Sequence, residues 1–500
     1  KTVFHVDTAK FADTSGLNGL RSRFQGWASD NWNESDRLFQ LKAPTGLGKT
    51  VAVTRIAEKT LAENPDARIF YLAPTVAILN QVYDELRQFK RGGDAVLLHY
   101  LIRDYDSEEE LDYQPKNYDA RCKSRDGKIN DLDAGLIVTT YHRMLRLMGG
   151  LSKSTCLNLN NLRNSVWIMD ECQFLTHYQI TAATSLFAAI AEMTHARFVF
   201  MSATPPEPDY VATSFRNLKW PEPPPVRTLL TATQLSEITN DPLVNGRRVV
   251  HPLADVVRLE DLAGKIDDHR RRHPEQSLLV LLNLAGDARK LPELLECNVD
   301  FLITTYLRPL DVGKKLREAE ESLRGEEPIL MVATSIVQAG VDLDFDAGFV
   351  ELNDLRDFLQ GCGRVGRSFI PKRGCCEVFA FELKNSRETS SWYRQRFARK
   401  LDNTEDAIAR EALETNCEII QTSIRQVLEA ESPLTDVDIE RIEDESSKKA
   451  SELSKNVFRR LTFGFPRSYD NLLYSEDRYQ GFSFTQLTTF LTQDTEDDSD

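Results

Sequence analysis

Eight consecutive residues, Ala43-Pro44-Thr45-Gly46-Leu47-Gly48-Lys49-Thr50, constrain this chain more than any other stretch. They follow a mostly apolar step, Leu38-Phe39-Gln40-Leu41, and lead into Val51-Ala52-Val53, which continues with helical spacing to about Leu61. That order predicts strand, tight loop, helix. Gly46 and Gly48 let the backbone turn so that its N–H groups, with Thr45 in the same loop, point inward at a phosphate chain. A helix starting near Lys49 adds the positive end of its dipole. Lys49 can reach the β- and γ-phosphates, and the Thr50 hydroxyl can hold Mg²⁺. The same triplet of glycine, lysine and threonine can also sit in a surface turn, so its meaning depends on the residues downstream.

The partners of such a loop occur in order along the chain. Val166-Trp167-Ile168-Met169 reads as a strand running into Asp170-Glu171-Cys172-Gln173. Asp170 is expected to bind Mg²⁺, mostly through water. Glu171 is expected to orient and deprotonate the attacking water, and Gln173 to sense the γ-phosphate across a cleft. An Asp-Glu pair after a strand also suits a helix N-terminus; Lys49 upstream favours the nucleotide site. Arg68 to Ala73 reads as a buried strand, Pro74-Thr75 as its loop, and Val76 to Phe89 as an amphipathic helix carrying Gln81. Leu136 to Thr140 is another strand, and its terminal Thr139 and Thr140 either hold a nucleic-acid phosphate or serve turn chemistry. Phe198 to Met201 leads to Ser202-Ala203-Thr204, where Ser202 and Thr204 are expected to bridge the nucleotide site to a nucleic-acid path. Gln25 lies 24 residues before Lys49. It either reads an adenine edge, with Phe24 packed beside it, or is a polar residue on a surface helix.

A second α/β pattern begins near 247. Ser277 to Leu282 and Ile329 to Ala333 read as strands. The second leads through Thr334 to Gly340 and Asp342, in a loop suited to contacting ribose and sensing nucleotide. Gln360-Gly361-Cys362-Gly363-Arg364-Val365-Gly366-Arg367 comes next. Arg364 and Arg367, three apart, are expected on one helical face. This half has no second glycine–lysine loop, so these arginines are expected to complete the first site from across a cleft, as arginine fingers, or else to form a basic surface turn. His269-Arg270-Arg271-Arg272-His273 reads as a basic helix end.

The repeating strand–loop–helix rhythm predicts parallel α/β sheets with ligands beyond the carboxyl ends of the strands. The expected organisation is a first domain over 1–215 and a proline-rich connector over 216–246. A second domain over 247–385, a helical accessory region over 386–490 and an acidic disordered tail over 491–500 complete it. Five hundred residues fit about three domains. A net charge of −15 argues against a protein that coats nucleic acid, while leaving room for a local basic groove. No apolar run approaches the roughly 18 residues of a membrane span. The polar start shows no signal-peptide pattern. Eight scattered cysteines without a C-x-x-C pair suit reduced thiols in a cytoplasmic protein and no zinc or iron–sulfur site.

Taken together, Ala43–Thr50, Pro74-Thr75 with Gln81, Thr139-Thr140, Asp170–Gln173, Ser202–Thr204, Thr334–Asp342 and Gln360–Arg367 resemble the motif series of superfamily 2 helicases and nucleic-acid translocases. The resemblance covers about residues 20 to 385. Gly340 to Asp346 and the short connection to Gln360 resemble, within that superfamily, the helicase component of type I CRISPR–Cas interference. It implies two tandem RecA-like domains with ATP and Mg²⁺ at their interface. It also implies movement on single-stranded DNA, with RNA as the other candidate strand, and recruitment by an RNA-guided surveillance complex. Two departures stand out. A His-Asp dipeptide, the mark of the nuclease that such helicases often carry, does not occur, so a nuclease is expected to be absent, supplied in trans or removed with the start. Asp-Glu-Cys-Gln replaces the commoner Asp-Glu-x-His, with both carboxylates kept. Two other readings stay open: an ATP-switched binding or remodelling module that separates no strands, and a protein-translocating ATPase.

Overall fold

Short apolar runs separated by helical stretches bury both faces of a sheet when the strands run parallel and crossover helices cover them. This chain does so twice. In the computed structural model the described residues are 3–4, 16–44, 46–74, 79, 82–83, 85–86, 90–91, 95–98, 134–141, 144, 162–172, 187–188, 190–192, 194–202, 225–337, 343–367, 376–384 and 407–461. Among them, the first sheet holds β1 (Leu38–Lys42), β2 (Ile69–Ala73), β3 (Ala95–Leu98), β4 (Leu136–Thr140), β5 (Val166–Asp170), β6 (Arg197–Ser202) and β7 (Val226–Thr228). Their order is β3-β4-β2-β5-β6-β1-β7, parallel throughout.

The second sheet holds β8 (Arg248–Pro252), β9 (Leu278–Leu281), β10 (Phe301–Ile303), β11 (Leu330–Ala333), β12 (Ala347–Glu351), β13 (Cys376–Phe381) and β14 (Leu434–Thr435). Its order is β10-β11-β9-β12-β13-β8-β14. The two sheets therefore repeat one strand order. They differ at the last edge: β7 runs parallel to β1, whereas β14 runs antiparallel to β8.

Helices α1 (Gly16–Asp30) and α2 (Lys49–Glu63) pack on one face of the first sheet. Phe24 and Ala28 of α1 and Val53, Ile56 and Ala57 of α2 share a core with Leu41, Tyr71 and Ile168. The opposite face buries Phe70, Trp167 and Phe198, with Phe70 and Trp167 stacked at 4.4 Å. On the second sheet, α4 (Leu259–Arg272) and α5 (Ala285–Leu294) cover one face. Helices α6 (Pro309–Arg324), α7 (Leu355–Cys362), α8 (Ala407–Leu428) and α9 (Asp436–Leu461) cover the other.

Two expected boundaries shift. Val226–Thr228, inside the stretch read as a connector, pairs with β1, and α3 (Ala232–Thr239) behind it contributes Ile238 to the α1/α2 core. The first domain thus extends past 215. The helices beyond 386 are also no separate accessory region. Ile420, Ile424, Val427 and Ile439 belong to the same buried cluster as Val350 and Phe358, and β14 extends the second sheet. Helical periodicity locates such helices but is silent about which core their apolar face enters.

Candidate active site

The loop after β1 turns through two glycines in the left-handed region, Gly46 at φ 87° and Gly48 at φ 81°. A side chain at Gly48 would be strained by that φ and would place its Cβ 3.0 Å from Nε2 of Gln25. The loop is held from outside by Arg21, whose Nε and Nη2 donate to the Gly46 carbonyl at 3.0 and 2.8 Å. Lys49 opens α2 and donates to the Ala43 carbonyl at 3.3 Å. Ala43 N–H in turn donates to the Ser202 carbonyl at 3.2 Å, joining the glycine–lysine loop to the end of β6.

Asp170 closes β5 and is 7% exposed. The Tyr71 hydroxyl, from the neighbouring β2, donates to Asp170 Oδ2 at 2.6 Å and also meets the Thr50 side chain. The Tyr141 hydroxyl donates to the Asp170 carbonyl. Burial, reinforced by the Glu171 charge and opposed by Lys49, pushes the Asp170 carboxyl up to about 7. Among the described residues, Lys49 is the cation whose charge opposes this shift. Glu171 follows at φ 51°, a left-handed conformation that costs a non-glycine residue about 1 kcal/mol or more. Asp170 and the Thr50 hydroxyl, both within reach of one phenol, are chemically a hard-cation donor set.

Gln25 is 1% exposed, on the inward face of α1. Its Oε1 has no hydrogen-bond partner among the described residues, and the Oε1 of Gln360 and the Oγ1 of Thr334 share that state at 8% and 2% exposure. Buried polar atoms without partners are rare and mark places where a ligand or water completes the bonding. All three belong to the expected nucleotide and coupling residues. Pro74 is half-buried directly after β2; Thr139 and Ser202 are buried and Thr140 half-buried at the ends of β4 and β6. Lys49, Thr50, Asp170, Glu171, Pro74, Thr139, Thr140 and Ser202 thus share the carboxyl edge of one sheet. Thr45, Thr75, Gln81, Gln173, Thr204, Gly340 and Asp342 lie outside the described residues.

The arginine pair departs from expectation. Helix α7 ends at Cys362, and Arg364 and Arg367 sit on the turn beyond it instead of on a helical face. The turn is stitched to the residues leading into β12: Phe345 N–H donates to the Arg364 carbonyl and Gly366 N–H to the Phe345 carbonyl. Gly366, at φ 59°, allows this reversal, and a Cβ there would lie 2.9 Å from Cys376 Sγ. Arg364 is 7% exposed and Arg367 half-buried. Arg367 N–H donates to Asp344 Oδ1 at 2.6 Å. The basic cluster His269 to His273 does end α4. His269 lies edge-on to Phe349 and Phe379, with Nε2 3.0 Å from Gln276 Oε1.

Sequence reasoning missed Arg21, Tyr71 and Tyr141. Arg21 precedes Gln25 by one helical turn, a spacing that places both on one face. Tyr71 is the one polar side chain in Ile69-Phe70-Tyr71-Leu72-Ala73, and a buried tyrosine needs a partner for its hydroxyl.

Residues 23–211 match the DEAD/DEAH box helicase family, and residues 276–369 match the C-terminal part of the CRISPR-associated nuclease/helicase Cas3. A CRISPR-associated nuclease/helicase Cas3 from Methanothermobacter thermautotrophicus is 23% identical over 144 residues, which is 29% of this chain and 16% of that protein. The solved structure of T. fusca Cas3 superposes with a TM-score of 0.66 at 17% identity, over 96% of this chain and 59% of that one. Its complex with AMPPNP gives a TM-score of 0.64, also at 17% identity and over the same shares. The chain therefore spans less than two thirds of each of these relatives. Their likeness establishes the fold: two RecA-like parallel-sheet domains.

Proposed function

We propose that this chain is a superfamily 2 helicase similar to the helicase component of type I CRISPR–Cas interference, that it hydrolyses ATP beyond the first sheet, and that it uses the cycle to move along single-stranded DNA. The observation that carries this reading is Tyr71. Its hydroxyl meets both Asp170 and Thr50, so two donors from separate motifs converge on one buried point beside Lys49.

Gln25 offers Oε1 and Nε2 to the N6 and N7 edge of adenine, a pairing whose geometry is general to this side chain. The Gly46–Gly48 loop presents backbone N–H groups to the phosphates, and Lys49 leaves the Ala43 carbonyl to meet the terminal ones. Asp170 and Thr50 would hold Mg²⁺, which when bound neutralises charge on the phosphates. Glu171 accepts a proton from the attacking water. Arg364 and Arg367 approach from the second domain and stabilise charge that develops on the transferred phosphoryl group. Pro74, Thr139, Thr140, Ser202 and Thr334 carry the nucleotide state to the strand, held chiefly by its phosphates. A nuclease in trans and an RNA-guided complex are the partners this reading calls for.

The test is ATP turnover with and without single-stranded DNA, beside Glu171→Gln. Strong stimulation by DNA, with turnover in the variant lower by about a hundredfold or more while nucleotide binding persists, is the expected result. Slow turnover indifferent to DNA, RNA or unfolded protein would leave an ATP-switched module instead of a motor.

A further inference from the structure

Helix α9 presents four carboxylates at one helical spacing, Asp436, Glu440, Glu443 and Asp444. Three of them hold basic residues that belong to the two walls of the proposed nucleotide cleft. Asp436 is 6% exposed and accepts from Arg248 Nε and Nη2 at 2.9 and 2.5 Å, with Arg247 Nε at 3.5 Å. Arg248 continues through Nη1 to the carbonyls of Cys362 and Val365, which flank Arg364. Two turns on, Glu443 lies 3.8 Å from Nε of Arg356 in α7, the helix that carries Gln360; Asp354 grips the same guanidinium at 2.8 Å. The next residue, Asp444, takes Lys42 Nζ on both oxygens, at 2.9 and 3.1 Å. Lys42 is the last residue of β1, and Ala43 after it accepts Lys49. One helix thus touches the root of the glycine–lysine loop through Lys42 and, with others of the same stripe, reaches the arginine turn indirectly, through Arg248 and through Arg356 of α7.

We propose that α9 is the coupling rod between these walls. Movement of the phosphate loop when nucleotide binds is passed through Lys42 and Asp444 to α9, and through Asp436 and Glu443 to the turn that carries Arg364 and Arg367. Asp444 is then a positioning residue for hydrolysis. The inference rests on the ATPase reading. The competing account is an ion pair that merely joins two domains. Lys42 and Asp444 side chains are 25% and 40% exposed, and pairs so exposed contribute at most about 1 kcal/mol to stability. A small stability term would leave turnover alone. A coupling element would not.

The experiment measures hydrogen–deuterium exchange over residues 436–448 with and without a non-hydrolysable ATP analogue, and DNA-stimulated turnover, in the wild type, Asp444→Asn and Asp444→Glu. Asp438→Asn serves as the control: Asp438 caps Thr435 on the same helix but lies outside the stripe. The expected result is an analogue-dependent change in α9 exchange that Asp444→Asn removes. In the same variant kcat falls about fivefold or more with little change in KM for ATP. Asp444→Glu restores both, and Asp438→Asn alters neither. No response of α9 to the analogue in a wild type that binds it overturns the proposal, as does Asp444→Asn with normal exchange and kcat. A wild type that binds nucleotide and moves α9 but hydrolyses nothing overturns the motor reading and leaves the coupling standing.

Discussion

Tyr71 shows how much of the site is decided by one side chain. Its strand needs only apolar residues to fill the α1/α2 core, and Phe would fill that space equally well. The hydroxyl is kept where it donates to a carboxylate that burial has made hard to ionise. Burial, and then the neighbouring Asp170 charge, push the phenol well above its ordinary value, so it stays a donor at any physiological pH. A hydrogen bond to a charged group contributes about 1.5–3 kcal/mol. Tyr71→Phe should therefore loosen Asp170 and raise the Mg²⁺ concentration for half-maximal ATP hydrolysis by about tenfold, with the fold intact by circular dichroism. An unchanged Mg²⁺ titration would show that the phenol serves packing alone. The sequence named Asp170 and Thr50, but nothing in their spacing could say that a tyrosine from a third segment joins them.

At the scale of elements, α9 is the informative case. Mixed charge with helical spacing was legible, and read alone it describes a solvated accessory helix. The structure turns part of that charge inward. Glu443 is 4% exposed, and burial, only partly offset by Arg356, pushes its carboxyl from 4.5 up to about 8. In the unfolded chain it titrates near 4.5, so between those values the native state holds a proton that the unfolded state has released. Stability contributed by this group is full below about pH 4.5 and is lost as pH rises through about 8. Glu443→Gln removes the titration and should shrink the fall in melting temperature between about pH 5.5 and 8.5. A variant whose melting temperature tracks the wild type across that range would place the pH dependence elsewhere. Glu440 on the same helix, raised by burial to about 7, would be the next group to replace.

For the whole molecule, the same strand order occurs twice, yet only the first copy carries a glycine–lysine loop. The second copy supplies instead a turn with two arginines. Such asymmetry suits a machine in which one domain binds nucleotide and the other answers it. The proposed strand contacts are chiefly to phosphates, and a chain of net charge −15 can attract a polyanion only through local basic residues. DNA stimulation of ATP turnover should therefore be salt-sensitive. The DNA concentration for half-maximal stimulation should rise at least about tenfold between roughly 50 and 200 mM salt. Stimulation indifferent to salt would point to a strand held by stacking instead.

The sequence by itself determined the parallel α/β class and located the glycine–lysine loop, the acidic pair and the two arginines. Each is a local signal: strand, turn and helix chemistry within some ten residues is enough to read it. Tertiary structure decided what depends on contacts between distant segments. It placed 226–239 in the first domain through pairing with β1, and the C-terminal helices in the second core. It moved Arg364 and Arg367 off the helix, because the bridge from Phe345 to Val365 ends α7 early. It also brought Asp444 to Lys42 across 402 residues. Periodicity says that a face is buried or charged; only the packed chain says against what, because the partner is chosen by the fold and not by the neighbours in sequence.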